Sequence, residues 1–270
     1  ASGLSLIYGL MGVLNFAHGS FLTVGAFVGF WLARTLGPDT SMPEFILAMI
    51  IGGLAAGAFA LLVEQLLITR LYDRHIDQAL VTVGVSLVVG AVLGGWFTND
   101  LQIFPTPLWF YTAINVGGAM IPADRIVYIA TAVLLLIANW ALLKFTRIGL
   151  IIRAGVDDTT MVSALGINVQ AVFIWIFFLG SVLVGFAGAV GGTTNSFGMG
   201  TDGDYLLFSL QVVIIGGLGS IGGVAIGSLL VGVIGQYAVG YFPTFAGIIT
   251  FTMLILILAF RPQGILGKKQ

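Results

Sequence analysis

This chain of 270 residues has no cysteine and very little charge. The absence of cysteine excludes disulfides, Cys-ligated metals and thiol nucleophiles. Lys+Arg number 10 and Asp+Glu 11, so charged residues make up 8% of the chain, whereas a soluble domain carries about a quarter. A net charge of -1, with no basic patch interleaved with aromatics, gives no sign of a nucleic-acid partner. The opening residues have no basic region before their apolar run and are not a signal peptide. No G-x-x-x-x-G-K-[ST] phosphate loop occurs; Gly267-Lys268-Lys269 comes nearest, with Pro at position 262 where glycine is needed. The chain therefore cannot hydrolyse ATP by itself. No metal-ligating cluster is visible, and no carboxylate pair or His/Ser constellation lies inside an apolar segment, which leaves an intramembrane enzyme without machinery.

Apolar residues and glycine fill the space. Hydrophobic residues reach 59%, glycines number 39, and the mean hydropathy is +1.11. This composition predicts an all-α, polytopic transmembrane helix bundle. About 8–9 apolar segments follow one another, near 1–14, 20–34, 44–68, 77–97, 124–145, 171–194, 206–219, 222–240 and 244–260. A full span needs about 20 residues, so the shorter segments are expected to be broken, tilted or re-entrant. A start at Ala1, already inside an apolar run, predicts a preceding segment. The joint from Thr98 to Ala123, with Pro105, Pro107, Pro122 and the aromatics Trp109, Phe110 and Tyr111, is expected to lie on the membrane surface.

Eight of the ten cations (Arg70, Arg74, Lys144, Arg147, Arg153, Arg261, Lys268 and Lys269) fall in alternate joints and the C-terminal tail. By the positive-inside rule these are cytoplasmic, the C-terminus with them. Asp39, Glu44, Asp100, Asp124, Asp202 and Asp204 then face outward. Glu64, near a helix end, is expected to snorkel to the interface, and His75 to be solvated.

One polar island interrupts the apolar chain, at 153–167. It reads as a miniature helix in which Asp158, or Asp157, is the N-cap and Gly166 the C′ residue. Met161, Val162 and Leu165 share its apolar face. A helix of about seven residues does not hold alone in water, so the stripe is expected to dock on a cytoplasmic partner or on lipid headgroups. Lipid would favour Lys or Arg where this helix carries Asp157 and Asp158.

Gly25/Gly29, Gly53/Gly57, Gly90/Gly94, Gly188/Gly192 and Gly223/Gly227 have the spacing that lets helix backbones approach. Two other sites read as helix breaks: Leu14-Asn15-Phe16-Ala17-His18-Gly19-Ser20, rich in hydrogen-bonding groups, and 216–223, rich in glycine. Each precedes a small-residue helix, a faint internal repeat. Paired breaks of this kind point to a substrate route. Candidates for its lining are Asn15, His18, Gly19, Gly216, Gly217, Gly219 and Gln211. His18 reads as a hydrogen-bonding member of the break, and Gln211 as either interhelical glue or pore lining.

Asn15-Phe16-Ala17-His18-Gly19, the island at 153–166, Gly216-Gly217-Leu218-Gly219-Ser220 and the ending Arg261-Pro262-Gln263-Gly264-Ile265-Leu266-Gly267 occur in order over essentially the whole chain. Together they resemble the H-type permease subunits of branched-chain (hydrophobic) amino acid ABC importers, and Glu64 fits the same pattern. The joint 72–78 departs from those subunits. The resemblance implies a single transmembrane permease domain over 1–270 in the bacterial inner membrane. It also implies a second related permease, two ATP-binding cassette subunits holding ATP and Mg, and a periplasmic binding protein as partners. Under it the loop at about 146–170 couples to the ATPase through Arg153, Ala154, Asp157, Asp158, Met161, Ala164, Leu165 and Gly166. The substrate is expected to be a small hydrophobic or branched-chain amino acid, because the mid-membrane route shows no fixed charge. Urea, short amides and aromatic acids are the alternatives within this class. A stand-alone secondary transporter or channel is the alternative outside it.

Overall fold

Glycine decides which helices of this protein touch most closely. In the computed structural model, which describes residues 1–12, 15–37, 41–71, 74–97, 100–157, 159–198 and 200–267, three long helices cross at the centre. They are α2 (His18–Leu36), α3 (Met42–Val63) and α8 (Val169–Gly191). A Cβ on Gly25 would overlap the backbone of Gly185, one on Gly52 the carbonyl of Gly25, and one on Gly188 the carbonyl of Leu22. With no hydrophobic drive between helices in lipid, such backbone approach and the dispersion contacts around it hold the bundle. Phe21 stacks edge-on against Phe59 and Phe177 in the same layer.

Around this centre stand α1 (Ser2–Met11), α4 (His75–Phe97), α5 (Ala123–Phe145), α9 (Thr201–Gly216), α10 (Ile221–Tyr241) and α11 (Ala246–Phe260). Seven helices among the described residues are long and apolar enough to cross a membrane; α1 and α9, with 10 and 16 residues, are the short pieces. The polytopic bundle with broken helices expected from composition is present. α4, α5 and α11 turn large apolar side chains outward, among them Leu87, Trp96, Ile129, Leu134 and Phe260, as helices facing lipid or a partner do.

Several expectations need correction. The joint 98–123 is not merely a surface loop. A 3₁₀ turn at Leu108–Tyr111 precedes a two-stranded antiparallel hairpin, β1 (Ala113–Val116) and β2 (Ala119–Pro122). Phe104 and Phe110 are buried edge-on against Phe45, while Trp109 and Tyr111 are exposed. The proline-rich spacing hid the two phenylalanines that pin it down. Glu64 does not snorkel: it opens a π-helical turn, Glu64–Ile68, is fully buried, and accepts a hydrogen bond from Thr69 Oγ1 at 3.2 Å. Gly90 meets nothing within 4 Å of a would-be Cβ among the described residues, so it makes no close helix contact with them.

The polar island carries helix on both sides of position 158, in two described stretches. They are α6 (Arg147–Asp157), buried through Ile152 in the cluster that holds Leu6 and Ile7 of α1, and α7 (Thr159–Ala164). Asp158 lies outside the described residues, as do Asp39, Lys268 and Lys269, and the Asp157 and His75 side chains are likewise undescribed.

Candidate functional site

The break between α1 and α2 is built by Asn15. Its Oδ1 accepts from the Ala17 N–H at 3.0 Å, and its carbonyl accepts from the His18 N–H at 3.2 Å, an Asx turn that restarts the helix. The Phe16 N–H has no carbonyl one turn back; it donates to Thr82 Oγ1 of α4 at 3.2 Å. Asn15 and His18 are buried, yet Asn15 Nδ2 and both ring nitrogens of His18 find no partner among the described residues. Buried polar groups are almost always satisfied by protein or water, so this turn offers hydrogen bonds beyond those made among the described residues.

What faces it on α4 was not foreseen. Gln78, Thr82 and Ser86 recur every four residues, which puts them on one helix face. Gln78 and Thr82 are fully buried, and the Gln78 amide has no partner among the described residues. Ser86 Oγ donates to Asp202 Oδ2 at 2.8 Å, and Ser20 Oγ of α2 reaches the same oxygen at 3.4 Å. Ser86 lies eleven residues from either end of α4 (86 − 75 and 97 − 86). The Asp202 carboxylate is therefore held at the mid-length of a span. This corrects two expectations, that Asp202 faces outward and that no charge sits centrally in a span. The apolar run beginning at 206 concealed the start of α9. Its real first turn holds Asp202 and Asp204, where acidic residues complement the helix dipole. The four-residue polar period in 77–97 was readable and carries the missing half of the site.

Gly19 belongs to the same joint, but as a contact. A Cβ there would overlap the carbonyl of Asp202. Beside Asp202 lies a void of about 10 Å³, bounded by Thr23, Phe27, Val89, Gly90 and Gly94. Val89 and Leu93 separate it from an open apolar groove of about 560 Å³ flanked by Trp31, Phe59 and Trp96.

The second break sits at the other end of α9. Gly19 meets α9 at Asp202, whereas Gly216 closes it fourteen residues later, roughly 21 Å along the axis. α1 bridges the gap, its Gly9 packing on Gly219. Gly217 and Gly219 have φ of 104° and 77°, open to glycine at little cost. The carbonyls of Ile215 and Gly216 accept from the Ile265 and Leu266 N–H groups at 2.9 and 3.0 Å. The C-terminal motif is thus the cap of α9. Ser220 Oγ caps α10 through the Gly223 N–H at 3.1 Å. Gln211 is buried on α9, its oxygen without a partner among the described residues.

The island splits its apolar face. Val162 turns inward at 3% exposure, while Met161 and Leu165 stand out at 66% and 75%. Ala154, Ala164 and Arg153 are exposed as well, the Arg153 Nε–H donating to its own helix at Gly149 O, 3.4 Å. Gly166 has φ 79°, the left-handed helix ending expected from its position.

These features meet a family model directly. Residues 1–258 match the model for the permease component of branched-chain amino acid transport systems. The chain belongs to that permease family. It is 27% identical over 286 residues to the high-affinity branched-chain amino acid transport system permease protein LivH of Salmonella typhimurium, covering 100% of this chain and 91% of that protein. BraD of Pseudomonas aeruginosa, described in the same terms, is 27% identical over 283 residues with the same shares of 100% and 91%. The LivM permease of Escherichia coli matches at 25% over 301 residues, covering 98% of this chain and 66% of that protein. No solved structure matches. As a permease with seven apolar spans, the chain is a multi-pass membrane protein.

Proposed function

We propose that this chain is the transmembrane permease subunit of an ATP-driven importer for small hydrophobic or branched-chain amino acids. The observation that carries the reading is the family match over 1–258, shared with relatives named as branched-chain amino acid permeases. In this reading the chain sits in the bacterial inner membrane with its C-terminus cytoplasmic. It pairs with a second related permease, as the parallel likeness to LivH and LivM supports. Two ATP-binding cassette subunits hold ATP and Mg, and a periplasmic binding protein delivers the solute. This chain does no chemistry; it supplies the route and the coupling surface.

Two regions take the roles. The seam of Asn15, His18, Gln78, Thr82, Ser86 and Asp202 lines the path, with Gln211 further along α9. Gly19, Gly216, Gly217 and Gly219 allow the close helix contacts that shift between access states. The exposed Met161, Ala164 and Leu165 of α7, flanked by Arg153 and Ala154 of α6, dock in the ATPase. Exposed apolar side chains beside a buried Val162 fit a protein cleft.

The test is reconstitution of the permease with its genetic neighbours in liposomes. Uptake of leucine that requires ATP and the binding protein is the expected result. Uptake by the permease alone, driven by an ion gradient, would falsify the reading.

A further inference from the structure

Asp202 is the one feature of the seam whose chemistry the importer reading leaves unexplained. A carboxylate at the mid-length of a membrane helix is costly and is kept where it has a function. Its expected partner is a cation, yet the ion pairs among the described residues are Arg74–Asp77 and Arg125–Asp124. Asp202 has only two neutral donors, the hydroxyls of Ser20 and Ser86, contributed by different helices.

We propose that Asp202 receives the ammonium group of an amino-acid substrate in transit, and that the Ser20 and Ser86 hydroxyls hold its place in the closed arrangement described here. The proposal rests on the importer reading. An ammonium offers three N–H donors, and it adds to its hydrogen bond a Coulombic attraction for the carboxylate that a neutral hydroxyl lacks. Exchange of donors is therefore favourable once the substrate arrives.

Space supports the same assignment. The void against Asp202, about 10 Å³, admits one water and no amino acid. Its α4 wall is Val89, Gly90, Leu93 and Gly94, on the same helix as Ser86, so outward movement of α4 breaks the Ser86 bond and widens the space together. Val89 and Leu93 of this wall face the apolar groove on their other side. A solute with an ammonium at one end and an aliphatic side chain at the other meets Asp202 with the first and this wall with the second. Urea and short amides offer neither, so Asp202 is a specificity-determining residue for α-amino acids.

The experiment uses the full complex with its binding protein in liposomes and compares Asp202→Asn, Asp202→Glu and Ser86→Ala. Asparagine keeps an oxygen for both serines but removes the charge. Leucine uptake by Asp202→Asn is expected to fall at least about tenfold, the loss of one charged hydrogen bond, while stimulation of ATP hydrolysis by loaded binding protein stays at the wild-type level. Asp202→Glu restores part of the uptake, and Ser86→Ala, which removes one place-holding hydroxyl but keeps the carboxylate, lowers uptake less than Asp202→Asn does. Uptake by Asp202→Asn within about twofold of wild type overturns the proposal and leaves the importer reading standing, since a twofold change is well under 1 kcal/mol. Joint loss of uptake, stimulated hydrolysis and co-purification in Asp202→Asn also overturns it, because Asp202 would then be a structural latch. A wild-type complex that imports urea and ignores leucine removes both.

Discussion

At the scale of single residues, the glycines within helices divide into two kinds. Gly25, Gly52 and Gly188 lie where a side chain would strike another helix's backbone, and Gly185 where it would strike Ala56, whereas Gly84, Gly232 and Gly240 face open space. Sequence shows the spacing but not the facing partner. Gly25→Leu is therefore expected to prevent the α2–α8 approach, a cost above the roughly 1–3 kcal/mol of ordinary overpacking because the obstacle is backbone. Gly232→Leu is expected to leave folding intact. Monodispersity and melting temperature in detergent separate the two: equal profiles for both variants would show that the crossing is not tight. Gly19 belongs with the first kind. A bulky substitution there meets the Asp202 carbonyl and is expected to reduce the yield of folded protein as well as transport.

Among elements, α7 makes the clearest forecast. Truncating Met161 or Leu165 to Ala removes exposed apolar area, each worth roughly 1–3 kcal/mol if fully buried against the ATPase. Co-purification of the ATPase subunits is expected to weaken while the permease alone keeps its wild-type melting temperature. Val162→Ala is expected to do the reverse, lowering the permease's own stability, because Val162 is buried within the chain. Gly166→Val adds about 1–2 kcal/mol of strain at a left-handed position and is expected to uncouple ATP hydrolysis from loaded binding protein. Wild-type stimulation in that variant would remove the coupling role. These elements also show how far sequence reading reaches. Apolar run length located nine helices near their observed limits, and Gly166 marked its own left-handed turn. The inward turn of Val162 was not legible, because a short amphipathic stretch does not say which of its apolar side chains the rest of the chain claims. Asp202 was missed for a related reason. Its setting depends on Ser20 and Ser86, which are 182 and 116 residues away, and no local pattern encodes that meeting.

For the whole molecule the open quantity is orientation, and the composition supplies the tool. A chain with no cysteine accepts single reporter thiols without background. Leu165→Cys on the exposed face of α7 and Tyr111→Cys beside the hairpin are expected to lie on opposite sides of the membrane. In right-side-out vesicles a membrane-impermeant maleimide is expected to label Tyr111→Cys and to spare Leu165→Cys until the bilayer is permeabilised. The opposite pattern would invert the assignment drawn from the cations. Labelling of both without permeabilisation would show that α7 does not lie on the cytoplasmic side.

The cap on α9 imposes an order on biosynthesis. Ile265 closes the hydrogen bond of Ile215, a residue made fifty positions earlier (265 − 215). Until residues 265 and 266 leave the ribosome, α9 has two carbonyls without their final donors, each costing about 1–3 kcal/mol when buried. α9 thus stays provisional through the insertion of α10 and α11. A chain ended after Phe260 keeps every apolar helix and is expected to insert, yet to be cleaved readily near Gly217 by added protease. An interrupted translation product would then carry its own mark for removal, at the glycine turn that the finished protein conceals.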